Sequence, residues 1–591
     1  MRHLLGCRTK VSSPCNQAQK PERYIVAANF PYLKDDCATS IPVSLPGVIT
    51  DPDAEQWDET CDVLVVGCGL AGTTTALRTA EDPSIDILAV DRGEGGGASA
   101  LSGGVLYVGG THVQRELGIE DSAEDMASYL EYETGTLIGR DTLKRFSEQS
   151  AQMLPWLESH GARFGGPICE TKTSYPGTKF LYYSGNEKTK AGRERARPAP
   201  RGHRTLPANP AHATAMSGRE LLRPLLASLA RKRNVRMSPH TTVRRLLTDG
   251  QGRVVGVEMW RLPPSAARKH RLLLRMGRNM MATVLGAAQK ASEAATRLEL
   301  RAARRIRVRV RRGVVLSAGG FIFNPTMIAH AAPKYTQVAG IGTIADDGSG
   351  IKLGGSVGGG TARMDMVSAW RFLYPPATWV QGIVIGPDAR RIVNEEEYGA
   401  RTGAAIFEKA GGKAWVIVDR PLQGKVEEDA RDPEILSFQK MTTLAAMRLY
   451  TRSAPTLSQL ARKIGVPAEV LEETVREYNR SIHEGNADAF DKTDSLRTPI
   501  ETGPFFATDV GGEPKLNPIP GITVGGLTVN EETGVVRRED GTEIEGLYAA
   551  GRNAVGLCSN YYVSGLSLAD CVFSGWRAAE TLKSQQGSVH A

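Results

Sequence analysis

Two short apolar runs near the start of the chain predict the first strands of a buried sheet. Residues 61–66 read CDVLVV and residues 85–90 read IDILAV, each of a length typical for a strand. Continuous apolar runs, rather than alternating ones, indicate parallel strands that are covered on both faces. A helix-forming stretch at residues 73–83 separates the two runs, so the pattern predicts a strand–helix–strand unit.

The turn after the first run carries the spacing GxGxxG at Gly67, Gly69 and Gly72. The first glycine permits a tight turn, the second lets backbone approach a pyrophosphate, and the third lets helix and strand pack closely. The helix that follows offers free N–H groups and a positive dipole end to phosphates. Asp91 ends the second run, about 20 residues further on, where an acid accepts hydrogen bonds from an adenosine ribose. These features together predict a dinucleotide site.

Composition sets the broad class of the protein. The chain has 591 residues, of which 41% are hydrophobic and 23% charged, as in a folded globular protein. No run of about 18 apolar residues and no CxxC pair occurs, so we expect neither a membrane-spanning helix nor a structural zinc site. The N-terminus lacks the apolar core of a secretory signal. We therefore expect an intracellular protein, cytoplasmic or peripherally attached to a membrane.

Charge is unevenly distributed along the chain. The formal net charge is +8, but residues 264–312 hold fourteen Lys and Arg against two acids. The remaining chain is therefore slightly acidic, and the basic balance does not indicate nucleic-acid binding. Residues 265–305 have two interpretations: a surface insertion with a charged face, or an amphipathic basic helix lying on a membrane. The end of the segment, residues 305–310, alternates basic and apolar side chains like a strand with one solvated face.

Three further segments are rich in small residues, which suit backbone pressed against a flat ring system. They are residues 95–104 (GGGASALSGG), 314–321 (VVLSAGGF) and 544–552 (IEGLYAAGR). This order resembles the FAD-binding half of the fumarate reductase and succinate dehydrogenase flavoprotein superfamily. Members with covalent flavin carry a histidine in the first of these segments, and its absence here implies FAD held non-covalently. The cofactor-binding residues expected from the motif and the resemblance are Gly67, Gly69, Leu70, Ala71, Gly72, Asp91, Arg92, Ala98, Ser99, Ser102, Gly103, Gly104, Ala318, Gly319, Gly320, Gly551, Ser567 and Leu568.

The resemblance also implies an α/β architecture. We expect a Rossmann-like FAD-binding domain, a parallel sheet flanked by helices, interrupted by a smaller α+β capping domain. The expected parts are an N-terminal extension (1–57), the first FAD-binding segment (58–335), the capping domain (336–505) and the second FAD-binding segment (506–591).

The segment before the last helix indicates the substrate. Between Arg552 and Arg577 there is no arginine, and residues 557–567 (LCSNYYVSGLS) offer only uncharged donors, which suit a ketone rather than a dicarboxylate. This segment resembles the FAD-dependent 3-ketosteroid dehydrogenases. In the Δ1 branch a tyrosine and a glycine four residues later hold the ketone oxygen, a spacing matched by Tyr561 and Gly565. The Δ4-(5α) branch has tyrosine–x–serine–glycine, which residues 562–565 match, so both alternatives stay open.

These resemblances imply the activity and its residues. We expect Δ1-desaturation of a 3-ketosteroid or related apolar polycyclic ketone, with an external electron acceptor. Δ1 stands first because it is the commoner named activity of the family. Δ4-(5α)-desaturation is one alternative. A fumarate or urocanate reductase, whose anion clamp would involve Arg363 or Arg371, is the other.

Several side chains are candidates for the chemistry. An α-proton is removed and the β-carbon passes a hydride to the flavin, with hydrogen bonds stabilising the enolate-like oxygen. The catalytic candidates are Tyr562, Tyr561, Ser564, Gly565 and Tyr398. Tyr562 is slightly favoured over Tyr561 for the ketone, and Tyr398 is the candidate base or else a packing residue. Ser564 is either a proton relay or the N-cap of the last helix.

Overall fold

The computed structural model describes residues 30–33, 37–213, 216–280, 285–374, 376–432, 435–513 and 516–585. Part of the predicted N-terminal extension lies outside these residues, and positions 281–284 of the basic segment also lie outside them. Among the helices of the described residues, none is both long and apolar enough to cross a membrane.

A nine-stranded sheet forms the centre of the described chain, and the glycine turn follows one of its middle strands. Its strands are β1 (Gly47–Val48), β2 (Glu59–Val66), β3 (Ile87–Val90), β4 (Val235–Ser238), β5 (Thr241–Thr248), β6 (Val254–Arg261), β7 (Arg304–Leu316), β8 (Val535–Arg537) and β9 (Glu543–Ala549). Their order in the sheet is β1-β5-β6-β7-β2-β3-β4, with β9 beside the end of β7 and β8 beside β9. Strands β4, β3, β2, β7 and β9 are parallel, in the order of a Rossmann sheet.

Helices cover both faces of this sheet. Successive residues of β2 enter two different apolar clusters, Leu64 and Val66 on one face and Val63 and Val65 on the other, as predicted for a buried parallel strand. The helices are α1 (Leu70–Thr79), α2 (His112–Glu116), α3 (Ala123–Thr134), α4 (Arg140–Ser159), α5 (Lys190–Arg195), α6 (Gly218–Leu229), α7 (Pro264–Met280), α8 (Leu285–Ala302), α9 (Pro325–Ala331), α10 (Ser349–Ser356), α11 (Gly399–Ala410), α12 (Arg420–Asp429), α13 (Ser437–Leu449), α14 (Leu457–Ile464), α15 (Ala468–His483) and α16 (Leu566–Ser584).

Smaller sheets surround the site. The strands Val105–Tyr107, Gly202–Arg204, Leu181–Tyr182 and Ile168–Cys169 pair beside the glycine-rich segment. In the predicted capping domain the strands Ile383–Ile385, Trp415–Val418, Phe505–Asp509 and Thr451–Ala454 form another sheet. Shorter strands at Ala339–Gly340, Pro520–Thr523, Val367–Ala369, Thr361–Ala362 and Gly526–Leu527 complete the described strands. The strand Phe505–Asp509 crosses the predicted boundary at residue 505, and the domain boundaries stay a prediction.

Two local predictions need comment. Residues 185–213 are rich in Lys, Arg, Pro and His, which predicts a loop. The structure instead contains α5 and a buried strand there, because His203 and its neighbours pair with strands on both sides. The basic segment forms α7 and α8 and then β7, where Val308 and Val310 are buried between more exposed basic residues, as the alternation predicts. Its helices are not confined to the surface, since His270 and Glu299 are buried.

Candidate active site

The glycine turn between β2 and α1 builds the floor of a cavity. Gly67 has φ +99°, and a Cβ there would lie 2.7 Å from the Ser317 carbonyl oxygen. A Cβ on Gly72 would lie 1.9 Å from the Gly67 carbonyl oxygen, so these two glycines are required by packing. A Cβ on Gly69 would meet only the Ser99 hydroxyl, at 3.8 Å, and would otherwise point into open space. Gly69 therefore leaves room for a ligand at the start of α1, as the motif predicts.

Asp91 organises the loop that faces this turn. Its carboxylate accepts hydrogen bonds from the backbone N–H of Cys68 (2.8 Å), Gly93 (2.7 Å) and Gly95 (3.2 Å). Each carboxylate oxygen has more than one acceptor site, so these bonds leave capacity for a ribose hydroxyl. Asp91 therefore has a structural role in this loop and also lines the cavity, as predicted for an acid that binds ribose.

A cavity, which we call the cradle, extends from this turn along the ends of the parallel strands. The lining of this cavity includes a buried donor, Arg552 Nη1, that has no hydrogen-bond partner in the described structure. A buried donor without a partner is costly, and phosphate, ribityl or ring oxygens of a bound dinucleotide would satisfy it. The cavity therefore fits the predicted cofactor. The predicted residues that line it are Gly67, Gly69, Leu70, Ala71, Asp91, Arg92, Ala98, Ser99, Ala318, Gly319 and Gly551.

The guanidinium of Arg92 lies at the outer end of the cavity. It contacts Glu299 (Nε–Oε1, 3.0 Å) and Asp347 (Nη1–Oδ2, 3.4 Å), and Nη2 donates to the Thr296 hydroxyl at 2.8 Å. Glu299 and Thr296 belong to α8, so the basic segment is attached to the cofactor cavity through buried charges. Arg92 thus holds these segments together through its buried charge and also lines the cofactor cavity.

A second cavity of about 710 Å³ adjoins the first and shares Ala98, Ser99, Arg552 and Cys571 with it. We call this second cavity the cleft. Its wall is mainly apolar, and its polar side chains are hydroxyls apart from Arg552, whose guanidinium is paired with Asp346. The lining residues are Ala98, Ser99, Leu101, Ser102, Gly103, Val105, Tyr175, Met216, Ile341, Trp370, Ile522, Arg552, Tyr562, Ser564, Gly565, Ser567, Leu568 and Cys571.

Tyr561 and Tyr562 point to different places. Tyr562 lines the cleft, with its ring 5.2 Å from that of Trp370 and 6.3 Å from that of Tyr398. The Tyr561 ring lies outside the cleft, beneath the guanidinium of Arg401 at 4.3 Å. Burial raises the pKa of Tyr562 well above its usual value, so this phenol keeps its proton at neutral pH. It is placed to act as a neutral hydrogen-bond donor.

The Ser564 hydroxyl interacts with several phenols. The Tyr182 hydroxyl lies 3.4 Å from Ser564 Oγ, and the Ser564 hydroxyl also lowers the pKa of Tyr175 and of Tyr398 against the larger effect of burial. Burial raises the pKa of all three phenols. Tyr398 is buried behind the cleft wall, so its contact with the cleft runs through Ser564.

Gly565 closes the tyrosine segment and begins α16. Its φ is +94°, and a Cβ there would lie 2.8 Å from the backbone nitrogen of Tyr107, so only glycine fits. The N-cap position belongs to Gly565 and no side chain caps the helix, so Ser564 is not the N-cap that was one of its interpretations. Its hydroxyl is instead committed to the phenols.

Some predicted and alternative residues lie away from both cavities. Gly104 packs on Ser217 and Gly320 on Thr523, so among the predicted cofactor residues these two, with Gly72, line neither cavity. Arg371 is buried against Asn517, and Arg363 bonds to Asn560, so the anion clamp of a reductase does not form at the cleft.

The main residue missed by sequence analysis is Tyr175. It lines the cleft and reaches Ser564 from a segment without any recognised motif. One local feature distinguishes it, and only the structure shows that feature: the tyrosine stands directly before Pro176, yet its φ is +55°. Trp370 belongs to the aromatic stretch 360–385, which suits a cleft wall, and it is the member of that stretch found there.

This fold and its cavities define a dinucleotide-binding flavoprotein, and the sequence profile of the FAD binding domain family matches residues 62–568. Over 540 residues the chain is 33% identical to 3-oxo-5-alpha-steroid 4-dehydrogenase of Comamonas testosteroni, covering 88% of this chain and 97% of that protein. It is 23% identical over 579 residues to 3-oxosteroid 1-dehydrogenase of Mycobacterium tuberculosis, covering 89% of this chain and 99% of the relative.

A solved structure is also similar. The crystal structure of 3-ketosteroid-delta4-(5alpha)-dehydrogenase from Rhodococcus jostii, in complex with 4-androstene-3,17-dione, is 28% identical with a TM-score of 0.75, covering 92% of this chain and 100% of that one. The chain belongs to the 3-ketosteroid dehydrogenase family of FAD-dependent oxidoreductases. The predicted fold class, cofactor and family are thereby confirmed.

Proposed function

We propose that this enzyme introduces the 4,5 double bond into a 3-keto-5α-steroid. The observation that carries the proposal is the Ser564 hydroxyl, which stands in a Tyr–x–Ser–Gly segment of the cleft wall and lies 3.4 Å from the Tyr182 hydroxyl. The full-length relatives that are 33% and 28% identical carry Δ4-(5α) names, whereas the 1-dehydrogenase is 23% identical. We therefore place 4,5-desaturation before the 1,2-desaturation that the sequence analysis put first.

The cleft supports a steroid-sized apolar ketone. Trp370, Ile341 and Ile522 supply apolar wall in the same cleft as the hydroxyl-bearing segment, the combination usual in small-molecule sites. Arg552 is the cationic side chain in the described cleft wall and its charge is paired with that of Asp346, so a dicarboxylate would lack a second cationic partner there. A neutral polycyclic ketone needs no such partner, because uncharged donors are sufficient for its oxygen.

The ketone oxygen is held by Tyr562 and the backbone N–H of Gly565. Tyr562 keeps its proton because burial raises its pKa, so it donates a hydrogen bond without becoming charged. Charge grows on the oxygen as the neighbouring carbon loses its proton, and fixed donors stabilise that charge more than they stabilise the bound ketone. The sequence-predicted base, Tyr398, reaches the cleft only through Ser564, which gives the serine a relay position.

FAD, when bound, supplies the acceptor for the hydride that leaves the β-carbon. We propose that it is held non-covalently, because no histidine lines either cavity among the described residues. The small side chains of Ala98, Ser99 and Cys571, which line both cavities, would leave room for the FAD ring system where the two cavities meet. Because reduced FAD must be reoxidised before the next turnover, we also propose an external electron acceptor.

We also propose peripheral membrane contact through the segment 265–305. The exposed side of α7 carries five basic residues together with Leu272, 57% exposed, and Met276, 43% exposed. Basic and apolar side chains on one helix face favour an anionic lipid surface. Flotation with anionic vesicles tests this: replacing Leu272 and Met276 by serine should abolish recovery, and unchanged recovery would contradict the contact.

The position of the new double bond tests the proposed function. Holoenzyme is incubated without oxygen with a saturated 3-keto-5α-steroid and an electron-accepting dye, and the product is identified by mass spectrometry and NMR. A 4-ene-3-ketone supports the proposal. Formation of a 1-ene-3-ketone as the first product would establish the 1,2 alternative, and absence of any desaturation would refute both.

A further inference from the structure

A third cavity is formed by α7 and the loop that follows β3. Arg271, Arg275 and Arg278 line it together with this loop. Their spacing of four and three residues places the three arginines on one face of α7. The helix packs directly on the loop, because a Cβ on Gly93 would lie 3.5 Å from Leu274 Cδ1. We call this third cavity the arginine pocket.

The charges that line the arginine pocket are only partly paired. Arg271 pairs with Glu94 (Nε–Oε1, 2.6 Å), and Arg92 is engaged by the buried acids described above. Arg275 and Arg278 have no acidic or hydrogen-bonded partner among the described residues. Both side chains are exposed and are solvated by water, so their charge alone defines no site.

A buried histidine supplies the second, independent feature. His240 is 5% exposed and lines the same pocket, and its Nε2 atom has no hydrogen-bond partner in the described structure. The rest of the residue is held in place: Nδ1 lies 2.9 Å from His270 Nδ1, and the backbone N–H donates to the Gly93 carbonyl at 2.9 Å. His270 is fixed in turn, with its Nε2 2.6 Å from Glu299 Oε1. A buried polar atom without a partner is costly, and a ligand in the pocket would satisfy it.

The phosphates of FAD are expected elsewhere. Gly69, Leu70 and Ala71, at the start of α1 where a pyrophosphate binds, line the cradle and not the arginine pocket. The two cavities adjoin, since Asp91 and Arg92 line both. The arginine pocket therefore lies beside the cofactor site and has polar groups of its own.

A phosphate group fits these polar groups. A guanidinium binds phosphate oxygens through two parallel hydrogen bonds, and two guanidiniums match a group that carries up to two negative charges. An imidazole with its proton on Nε2 donates to a further oxygen of the same group. A tetrahedral phosphate offers oxygens in several directions at once, whereas a planar carboxylate offers two in one plane.

We propose that the arginine pocket binds a phosphate-bearing anion through Arg275, Arg278 and His240. The site goes beyond the proposed function, because none of these three residues lines the cleft and the ligand is not the steroid. Two sources carry such a group: soluble phosphate compounds and the phosphate headgroups of a lipid surface.

Calorimetric titration of the FAD-loaded enzyme with inorganic phosphate, at constant ionic strength, tests the site. We expect one phosphate per chain, and Arg275→Gln combined with Arg278→Gln should weaken binding at least ~10-fold. Arg268→Gln combined with Lys269→Gln is the matched control, since it removes the same charge from exposed positions of α7 outside the pocket and should cost less than threefold. Equal losses in the two double variants would show unspecific charge and overturn the proposal. Binding to the FAD-free protein alone would assign the pocket to the cofactor and overturn it too.

The role of the histidine is tested by His240→Asn. Its φ of +53° is in the left-handed region, which asparagine tolerates, and the shorter side chain withdraws from the position of Nε2. We expect phosphate affinity to fall about fivefold or more with FAD content retained. Unchanged affinity would remove His240 from the site. If this variant does not fold, the two double variants still decide whether the site exists.

A comparison of anions tests the chemical class. Succinate carries two negative charges on separate carboxylates, so it should bind at least ~5-fold more weakly than phosphate. Equal binding of the two anions would overturn the assignment of a phosphate group.

Vesicle sedimentation distinguishes the two sources of the phosphate group. With phosphatidylcholine vesicles that contain phosphatidic acid, a headgroup ligand predicts recovery of the holoenzyme that falls with Arg275→Gln and Arg278→Gln and that inorganic phosphate reduces by competition. A soluble ligand predicts the calorimetric binding with vesicle recovery unaffected by the same substitutions. Absence of both signals would overturn the site. No steroid enters these measurements, so a failure of the proposed desaturation leaves the outcome readable.

Discussion

The cofactor cradle and the substrate cleft lie side by side but are built differently. The cradle is made mostly of backbone, in turns that follow the strands β2, β3, β7 and β9. The cleft is made of side chains from segments that are far apart in the chain, including Gly103, Tyr175, Trp370 and Ser564. A backbone site depends on glycine spacing within a few residues, whereas a side-chain site depends on how distant segments pack.

The two sites should therefore respond differently to substitution. In the first turn of the cradle, an added methyl group would meet backbone at Gly67 and Gly72 and would enter open space at Gly69. In the cleft, removing one hydroxyl leaves the fold in place and changes only the chemistry. Substitutions in each region test whether this division holds.

The largest effects are expected at the glycines of the first turn. Gly72→Ala should prevent stable folding, because its Cβ would lie 1.9 Å from the Gly67 carbonyl oxygen. Gly69→Ala should fold and yet lose FAD, because its Cβ enters the open space of the cradle. Circular dichroism and the FAD content after gel filtration measure the two outcomes. A Gly69→Ala protein that retains stoichiometric FAD would contradict the placement of the cofactor.

A smaller but specific effect is expected at Tyr562. Tyr562→Phe should lower kcat by at least ~100-fold with FAD retained, the usual consequence of losing one donor to a developing oxyanion. Tyr561→Phe is the matched control, because its ring lies on Arg401 outside the cleft and its loss should change kcat by less than threefold. If the two variants exchange these outcomes, the ketone lies at Tyr561, and the Δ1 spacing gains support.

The same division explains what could be predicted from sequence. Gly67, Gly69 and Asp91 were identifiable because their spacing is local and each role is a property of backbone geometry. Tyr562 was identifiable only through the resemblance of its segment to a known family. Tyr175 was not, because nothing near it in sequence indicates that a left-handed conformation brings its ring onto Gly103.

Arg92 shows the reverse case: the sequence predicts a cofactor contact, and the structure adds a role in long-range charge pairing. It follows Asp91 directly, so a cofactor contact was expected. The buried acids Glu299 and Asp347 come from segments more than 200 residues away and engage its guanidinium. Long-range charge pairing of this kind leaves no local pattern, so only the folded structure reveals it.

The buried carboxyl of Asp570 should make stability depend on pH. It lies in α16, one residue before Cys571, which lines both cavities, and it holds the loop of Leu557 through a backbone hydrogen bond. Burial raises its pKa from 3.8 to about 6. The folded state therefore binds the proton more tightly than the unfolded state, so stability falls as pH rises from about 4 to 6.

Asp570→Asn should remove this dependence. The loss amounts to at most about 3 kcal/mol, since one pKa unit corresponds to about 1.4 kcal/mol. Chemical denaturation at pH 4.5 and pH 7.5 measures it: the difference between the two free energies of unfolding should shrink in the variant. A difference as large as in wild type would mean that Asp570 does not change its protonation between the two pH values.

The smallest effect is expected at the apolar wall of the cleft. Trp370 packs on Tyr562 and is held by a bond from its Nε1 to the Ser368 hydroxyl at 2.7 Å. Trp370→Ala should raise KM about tenfold with a smaller change in kcat, because the lost apolar contact stabilises bound substrate and transition state alike. Trp415→Ala, in the capping sheet away from the cleft, is the control. An effect on kcat alone would show that Trp370 orients Tyr562 rather than the steroid. The chemistry in the cleft would then depend on how the Trp370 side chain packs against Tyr562.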